Sequence, residues 1–385
     1  MRIHAIVFAL LCVSATAEAE ILRVGPHERL TRIADAAKRA KDGDIVEILP
    51  GEYRADVAVW GQKQLTIRGI GERPVLIADG ASAEGKAIWV IRNGDFRIHN
   101  VEFRGARVPD GNGAGIRLER GRLHVSASTF IDNENGILTA NDADTELRIE
   151  NCVFAQAPRN VDLPHLLYVG RIARLEITGS RFHRGYEGHL IKSRARYNEI
   201  RYNLIHDGPG GEASYEIEFP NGGVAFVVGN VIGQSADTQN PVVVAYGAEG
   251  NAWPDSALYL SHNTLFSDRT TGAWFLRTWK DNLPAGTEIK AVNNLTVGLG
   301  VFTLATDGNF SGNVPAVGAL LGGPDILDFT LAPDSILRRF GAEPGQARGY
   351  SLAPAAEFAL PLGTRPLPPP ARWAPGAFQS SGYAP

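Results

Sequence analysis

Cysteine is nearly absent from this chain of 385 residues: only Cys12 and Cys152 occur. Cys12 falls in an N-terminal stretch that reads as a cleaved leader. Cys152 is then alone, and no intrachain disulfide is expected. The fold must rest on packing and hydrogen bonds. Cys152 lies in Ile149-Glu150-Asn151-Cys152-Val153-Phe154, an apolar strand setting that suits a small buried hydrophobe better than a nucleophile. The nine histidines form no HExxH or CxxC-type pattern, which removes the common zinc sites. Neither charge is in excess. The net charge is −4 at pH 7, so a basic footprint for nucleic acid is missing. Beyond the leader, no run approaches the roughly 20 apolar residues of a membrane-spanning helix.

What is present is apolar residues and glycine. A 44% hydrophobic share supplies a sizeable core and excludes wholesale disorder. Forty-three glycines argue against a helical bundle, where each costs about 1 kcal/mol, and favour a fold with many turns. The start of the chain has the layout of a secretory signal peptide. Met1-Arg2-Ile3-His4 is basic, Ala5 to Val13 is apolar, and Ala17-Glu18-Ala19 is a small-x-small cleavage site. A leader over residues 1–19 and an exported mature chain, periplasmic or secreted, are the expectation.

A short phrase then recurs along the chain. It appears as Asn100-Val101-Glu102-Phe103, Ser128-Thr129-Phe130, Asn151-Cys152-Val153-Phe154 and Ser180-Arg181-Phe182. It continues as Asn203-Leu204-Ile205, Asn230-Val231-Ile232, Asn263-Thr264-Leu265 and Asn294-Leu295-Thr296. Successive anchors are 28, 23, 29, 23, 27, 33 and 31 residues apart, about 28 per repeat. Each interval holds short apolar strands such as Gly115-Ile116-Arg117-Leu118, Val242-Val243-Val244 and Trp274-Phe275-Leu276, bounded by Gly, Asn and Asp. Sustained helical periodicity is missing between anchors, so βαβ units are excluded. The solution is an all-β, single-stranded, right-handed parallel β-helix, in which each rung pairs with its neighbours and asparagines stack at the turns. A β-sandwich with Asn-rich turns fits the regular spacing less well.

The ends differ from the repeat. Leu30, Ile33, Ala36, Ala37 and Ala40 mark one face of an amphipathic helix over about 30–41, expected to cap the N-terminal mouth of a solenoid spanning 20–340. Residues 341–385 include Pro368-Pro369-Pro370 and read as an extended C-terminal strap. The order of helix, Asp42-Gly43-Asp44, strand, Pro50-Gly51-Glu52-Tyr53 and Asn-anchored rungs resembles exported pectin-lyase-like β-helix proteins. So does the exit Asp328-Phe329-Thr330-Leu331-Ala332-Pro333-Asp334-Ser335. That scaffold hosts lyases, hydrolases, esterases, epimerases and adhesins, so the resemblance implies fold before function.

Residues unlike the repeat concentrate between 183 and 253. Placing Ile191 and Ile217 inward sends Lys192 and Arg194 outward from one rung. Glu216 and Glu218 then point outward from the next, with rungs about 4.8 Å apart. Tyr246 and Glu249 extend the patch, and His189 and Tyr215 flank it. A solvated charge ladder is the plain alternative, each pair contributing about 0.2–1 kcal/mol. Trp253, Trp274 and Trp279 read first as rung-packing residues and second as a sugar-stacking surface.

Lys192-Ser193, Asn198 and Arg201-Tyr202-Asn203 resemble the Lys-Ser, Asn and Tyr-Arg-Asn-Asn phrase of the alginate lyase and chondroitinase B family. The resemblance implies Lys192 as the base that removes the proton beside a uronate carboxylate. It also implies an arginine that assists, and calcium held by acidic residues. The following rung departs from the family, with Glu216-Ile217-Glu218-Phe219-Pro220 where its arginine and histidine stand, which leaves Arg194 as the geometric substitute. Lys192 and Arg194 are thus the catalytic candidates. His189, Tyr215, Glu218, Tyr246 and Glu249 are candidates for substrate binding, and Glu216, Glu218 and Glu249 for calcium. Three functions stay open: a lyase of acidic polysaccharide, a non-catalytic polysaccharide-binding solenoid, and a glycoside hydrolase using Glu218 and Glu249. A monomer with a polysaccharide partner is the expectation.

Overall fold

The computed structural model describes residues 19–380, so the expected leader lies outside the described residues, Ala19 apart. Short strands recur three to a turn and pair in parallel with the strands one turn away. They form sheets of 12, 11 and 10 strands, called here A, B and C in the order the chain visits them. One turn runs through Asp95–His99 in A, Glu102–Arg104 in B and Ala114–Leu118 in C. The result is an all-β parallel solenoid of about ten turns.

Local pattern explains each sheet. In Asp95–His99 of sheet A, Phe96 and Ile98 are buried while Arg97 and His99 are exposed, the alternation of a strand with one face on a core. In sheet B, Phe103, Phe130, Phe154 and Phe182 lie in register on successive turns. Their rings stack at 5.0, 4.6 and 4.7 Å, within 8° of parallel. The spacing of paired strands is close to the stacking distance of aromatic rings, so one residue repeated in register fills the core as a column. Gly115 in sheet C makes room for it: a Cβ there would come 2.9 Å from the Phe130 ring and 2.8 Å from the Gly136 carbonyl oxygen.

The turn between sheets A and B carries the asparagine ladder. Side-chain amides donate from Asn203 to Asn230, Asn230 to Asn263, Asn263 to Asn294 and Asn294 to Asn313, at 2.8–3.0 Å. All but Asn313 are fully buried, and each bond satisfies a polar group that water cannot reach. Toward the N-terminus Ser128 and Ser180 take over, their hydroxyls accepting from the backbone N–H of Val101 and Cys152. The anchors Asn100 and Asn151 are a correction to the expected register. They sit one residue before the ladder column, in left-handed backbone with φ of 57° and 52°. Asparagine tolerates that conformation better than most residues. Cys152 itself is a fully buried ladder position, its thiol pushed up to about 12 by burial.

A helix spans Ile33–Arg39, shorter than the expected 30–41 because Leu30 bridges to Val24 instead. Its first N–H groups, those of Ile33 and Ala34, donate to the Asp56 carboxylate at 2.6 and 3.0 Å. The Gln62 amide closes the other end on the carbonyls of Ala37 and Ala40. Ile33, Ala36 and Ala37 join the main core. After the last turn the chain runs back along the ladder corner. There Ser261 donates to the Leu352 carbonyl, Ala355 N–H donates to the Tyr202 hydroxyl, and Gly363 N–H donates to the Gly179 carbonyl. Ala377 and Phe378 bury against Leu204, Val231, Phe266 and Leu295.

Candidate functional site

The outer face of sheet C brings together most of the residues singled out by the sequence. Tyr168, Lys192, Glu218 and Ala245 are register partners on four successive turns. Lys192 Nζ donates to Glu249 Oε1 at 2.7 Å and lies 3.2 Å from Glu218 Oε2. Arg194, two residues along the same face, places Nη2 2.7 Å from the other Glu249 oxygen. Its Nε donates to the Tyr168 hydroxyl at 3.1 Å and its Nη1 to Asn221 Oδ1 at 2.7 Å. Glu249 projects from the turn Gly247–Gly250, whose glycines have φ of 83° and 69°. Asn282 binds the carbonyls of Gly247 and Ala248, and Asn221 that of Gly250.

Burial sets the electrostatics. The Glu218 side chain is only 3% exposed, and burial pushes its carboxyl up despite the opposing pull of Lys192. Glu249 is 41% exposed. Partial burial works to raise its carboxyl, but the bonds from Lys192 and Arg194 outweigh this and hold it below the ordinary range. His189 stacks on Tyr215 at 5.0 Å and its Nδ1 is 3.6 Å from Glu218. Burial, with His165, Lys192 and Arg194 adding to it, holds the His189 imidazole well below its ordinary pKa. The ring is therefore neutral and its contact with Glu218 is not an ion pair. Tyr215 is half-buried at the edge of the patch.

Two expected members face the other way. Glu216 is fully buried, because two consecutive residues of sheet C turn inward at this point of each turn. Its equivalents Leu190 and Val243 belong to the main core, as do Ile191, Ile217 and Val244 beside them. The strict alternation that put Glu216 beside Glu218 fails there. Among the described residues neither Glu216 oxygen has a hydrogen-bond partner, and burial, then Asp207, push its carboxyl well up. Tyr246 is also core: it is fully buried and its hydroxyl donates to the Gly223 carbonyl at 2.6 Å. It takes no part in an outer surface.

These placements do not fit the expected calcium site. Glu216 is on the inner side of the strand, and Glu218 and Glu249 both close on the Lys192 nitrogen. Among the described residues no group of three or more His, Cys, Asp or Glu is arranged to hold a metal. The paired-glutamate hydrolase fits poorly too. Oxygens that touch one nitrogen at 3.2 and 2.7 Å are less than about 6 Å apart, below the roughly 6.5–9.5 Å of inverting enzymes, and Lys192 fills the space between.

The sequence reading passed over Tyr168, Arg171 and Asn221. Arg194, Asn221 and Glu249 line one end of an open cleft of 740 Å3, with Tyr168, Arg171 and Asn251 beside them and Lys86, Asp110 and Arg117 at the far end. Lys86 and Arg117 share Glu119. Arg171 lies 4.1 Å over the Trp253 ring and donates to the Asn251 carbonyl, while Trp253 Nε1 donates to the Arg194 carbonyl. Trp253 is thus a support for two arginines. A signal for Tyr168 existed: Leu167 stands 13 residues before Ser180, as Ile217 stands 13 before Asn230.

No family model matches the sequence, and no curated protein matches it. Among solved structures, the chain is similar to pectate lyase Pel9A, with a TM-score of 0.65 and 12% identity over 94% of this chain and 96% of that one. This likeness shows the fold, a right-handed parallel β-helix. A Geobacillus virus E2 protein, ORF18, aligns with 71% of this chain and 53% of its own at 12% identity and a TM-score of 0.41. A pectin methylesterase in complex with a hexasaccharide aligns over 77% of this chain and 89% of its own at 10% identity, with a TM-score of 0.35.

Proposed function

We propose that this β-helix is an exported carbohydrate-active protein whose sheet C cleft takes an acidic, uronate-containing polysaccharide. The observation that carries the reading is the convergence of Lys192 and Arg194 on one point at the end of an open cleft that also holds Arg171. An arginine fork oriented by neighbours is suited to a carboxylate, and stacked rungs present a long groove to a chain of sugars. The helix Ile33–Arg39 is in this reading a cap on the first turn, and the segment after Gly341 a strap on the ladder corner.

The finer proposal is eliminative cleavage. Removing a proton α to a carboxylate needs a base beside that carbon and a cation facing the developing charge. In that step Arg194 holds the carboxylate and Lys192 Nζ takes the proton from the neighbouring carbon. The electron pair forms a carbon–carbon double bond as the glycosidic C–O bond breaks, and the leaving oxygen is protonated by the Lys192 ammonium so formed or by water. One observation favours the rival, a non-catalytic binder: Lys192 Nζ is already engaged by two carboxylates at 2.7 and 3.2 Å, an ion-pairing rather than a proton-abstracting arrangement. Incubation of the mature protein with alginate, pectate and glycosaminoglycans, followed by absorbance near 235 nm, separates the two. A rise shows the unsaturated uronates of a lyase. Binding with a flat trace assigns the binder.

A further inference from the structure

The Glu249 carboxylate bridges the two cations of the site, one oxygen on Lys192 Nζ and the other on Arg194 Nη2, both at 2.7 Å. The cations do not depend on it for their positions. Arg194 is oriented by the Tyr168 hydroxyl and Asn221 Oδ1, and Lys192 by Glu218. With the Glu249 side chain taken away, both would still aim at the same point. That is the definition of a preorganised receptor for one carboxylate. The exposures differ in a telling way: the Lys192 and Arg194 side chains are 11% and 18% exposed, and Glu249 is 41% exposed. The receptor is walled in, while its occupant comes from a surface turn with open space beside it in the cleft.

We propose that Glu249 is an internal stand-in for a substrate carboxylate, and that a uronate carboxylate binds by displacing it from Lys192 and Arg194. This rests on the reading that the cleft takes an acidic polysaccharide, and it adds how a carboxylate is admitted. Glu218 already pairs with Lys192, so without Glu249 the pocket would keep one positive charge in excess. The resident carboxylate balances that charge until another of equal charge arrives. The turn itself need not move, since its backbone is held by Asn221, Asn282 and the Pro220 carbonyl, which accepts from Glu249 N–H. Only side-chain rotation is required. Displacement by an internal competitor lowers apparent affinity, so the wild type binds acidic sugars more weakly than the bare receptor would.

The test is calorimetric titration of the mature wild type, Glu249→Gln and Glu249→Gln/Arg194→Gln with tetrasaccharides of galacturonate and of mannuronate, and with acetate. Glutamine keeps the shape and removes the competing charge. The expected result is at least tenfold tighter binding of an acidic tetrasaccharide to Glu249→Gln, with the gain lost in the double variant. Tetrasaccharide binding that weakens in Glu249→Gln, in a protein with an unchanged melting temperature, overturns the proposal and leaves the acidic-polysaccharide reading standing. Should neither tetrasaccharide bind any form while acetate binds Glu249→Gln more tightly than wild type, the receptor stands and the polysaccharide reading falls. Absence of any binding to Glu249→Gln overturns both.

Discussion

Lys192 and Glu218 are register partners on adjacent turns of sheet C, with Nζ 3.2 Å from a carboxylate that is 3% exposed. The lysine is therefore not a loose surface charge. It is the cation that keeps a buried glutamate compensated, and at the same time one wall of a carboxylate receptor. Function and stability are joined in one side chain.

Replacing Lys192 by methionine keeps the stem and removes the charge. Glu218 is left buried without its ion partner, and stability should fall by about 1–3 kcal/mol. Glu218 is already shifted upward by burial, so its neutral form is the one the fold tolerates. The loss should therefore be smaller at about pH 5 than at about pH 8, because lowering the pH favours the protonated carboxyl. Urea titrations at the two pH values measure it. Cleavage or binding of acidic polysaccharide should be abolished at both.

Asp207 provides a second pH signature. Burial raises its carboxyl to about 6, above its unfolded value, while the N–H groups of Ala213 and Gly185 pull the other way. The folded state thus binds more protons than the unfolded state between about pH 4 and pH 6, and stability from this group falls as pH rises through that window. The effect is on the order of 3 kcal/mol for a shift of about two units. Thermal melts of wild type and Asp207→Asn across the window should diverge, the wild type losing more as the pH increases.

Much of the fold was legible because the ladder writes itself into the sequence. Asn203, Asn230, Asn263 and Asn294 recur wherever a buried turn needs a donor and an acceptor at once, and Phe103, Phe130, Phe154 and Phe182 recur wherever a ring must stack on a ring. The juxtaposition of Lys192, Arg194, Glu218 and Glu249 followed from the same count. What escaped was local. Glu216 was misplaced because sheet C turns two consecutive residues inward, a departure from strict alternation that leaves no mark in composition, and Tyr246 because its register partner is the inward Phe219. Tyr168 and Asn221 escaped because each is unremarkable in its own turn and matters through Arg194, 26 and 27 residues away, and Arg171 because its partners Asn251 and Trp253 lie 80 and 82 residues away.

The ladder itself can be tested at Asn230. Its side chain accepts from the N–H and the amide of Asn203 and donates to Ile200 and Asn263. Asn230→Ala leaves several buried polar groups unpartnered and should cost about 2–4 kcal/mol. Asn230→Ser should cost less, since Ser128 and Ser180 fill the accepting role elsewhere in the column. Equal losses in urea unfolding would mean that volume, not hydrogen bonding, governs the site.

Gly115→Ala probes the aromatic column. The new methyl group would press on the Phe130 ring and the Gly136 carbonyl at under 3 Å, so overpacking of about 1–3 kcal/mol is expected. A melting temperature equal to that of wild type would show that the stack yields freely.

Recognition of a uronate carboxylate by Lys192 and Arg194 is tested most directly by equilibrium binding of wild type and Arg194→Gln to one panel of pectate, alginate, a glycosaminoglycan and a neutral glucan. The account predicts that wild type binds at least one acidic polymer and not the neutral one, and that Arg194→Gln binds it at least tenfold more weakly while melting at nearly the same temperature. Equal binding of acidic and neutral polymers, or equal affinity in the two proteins, would contradict it.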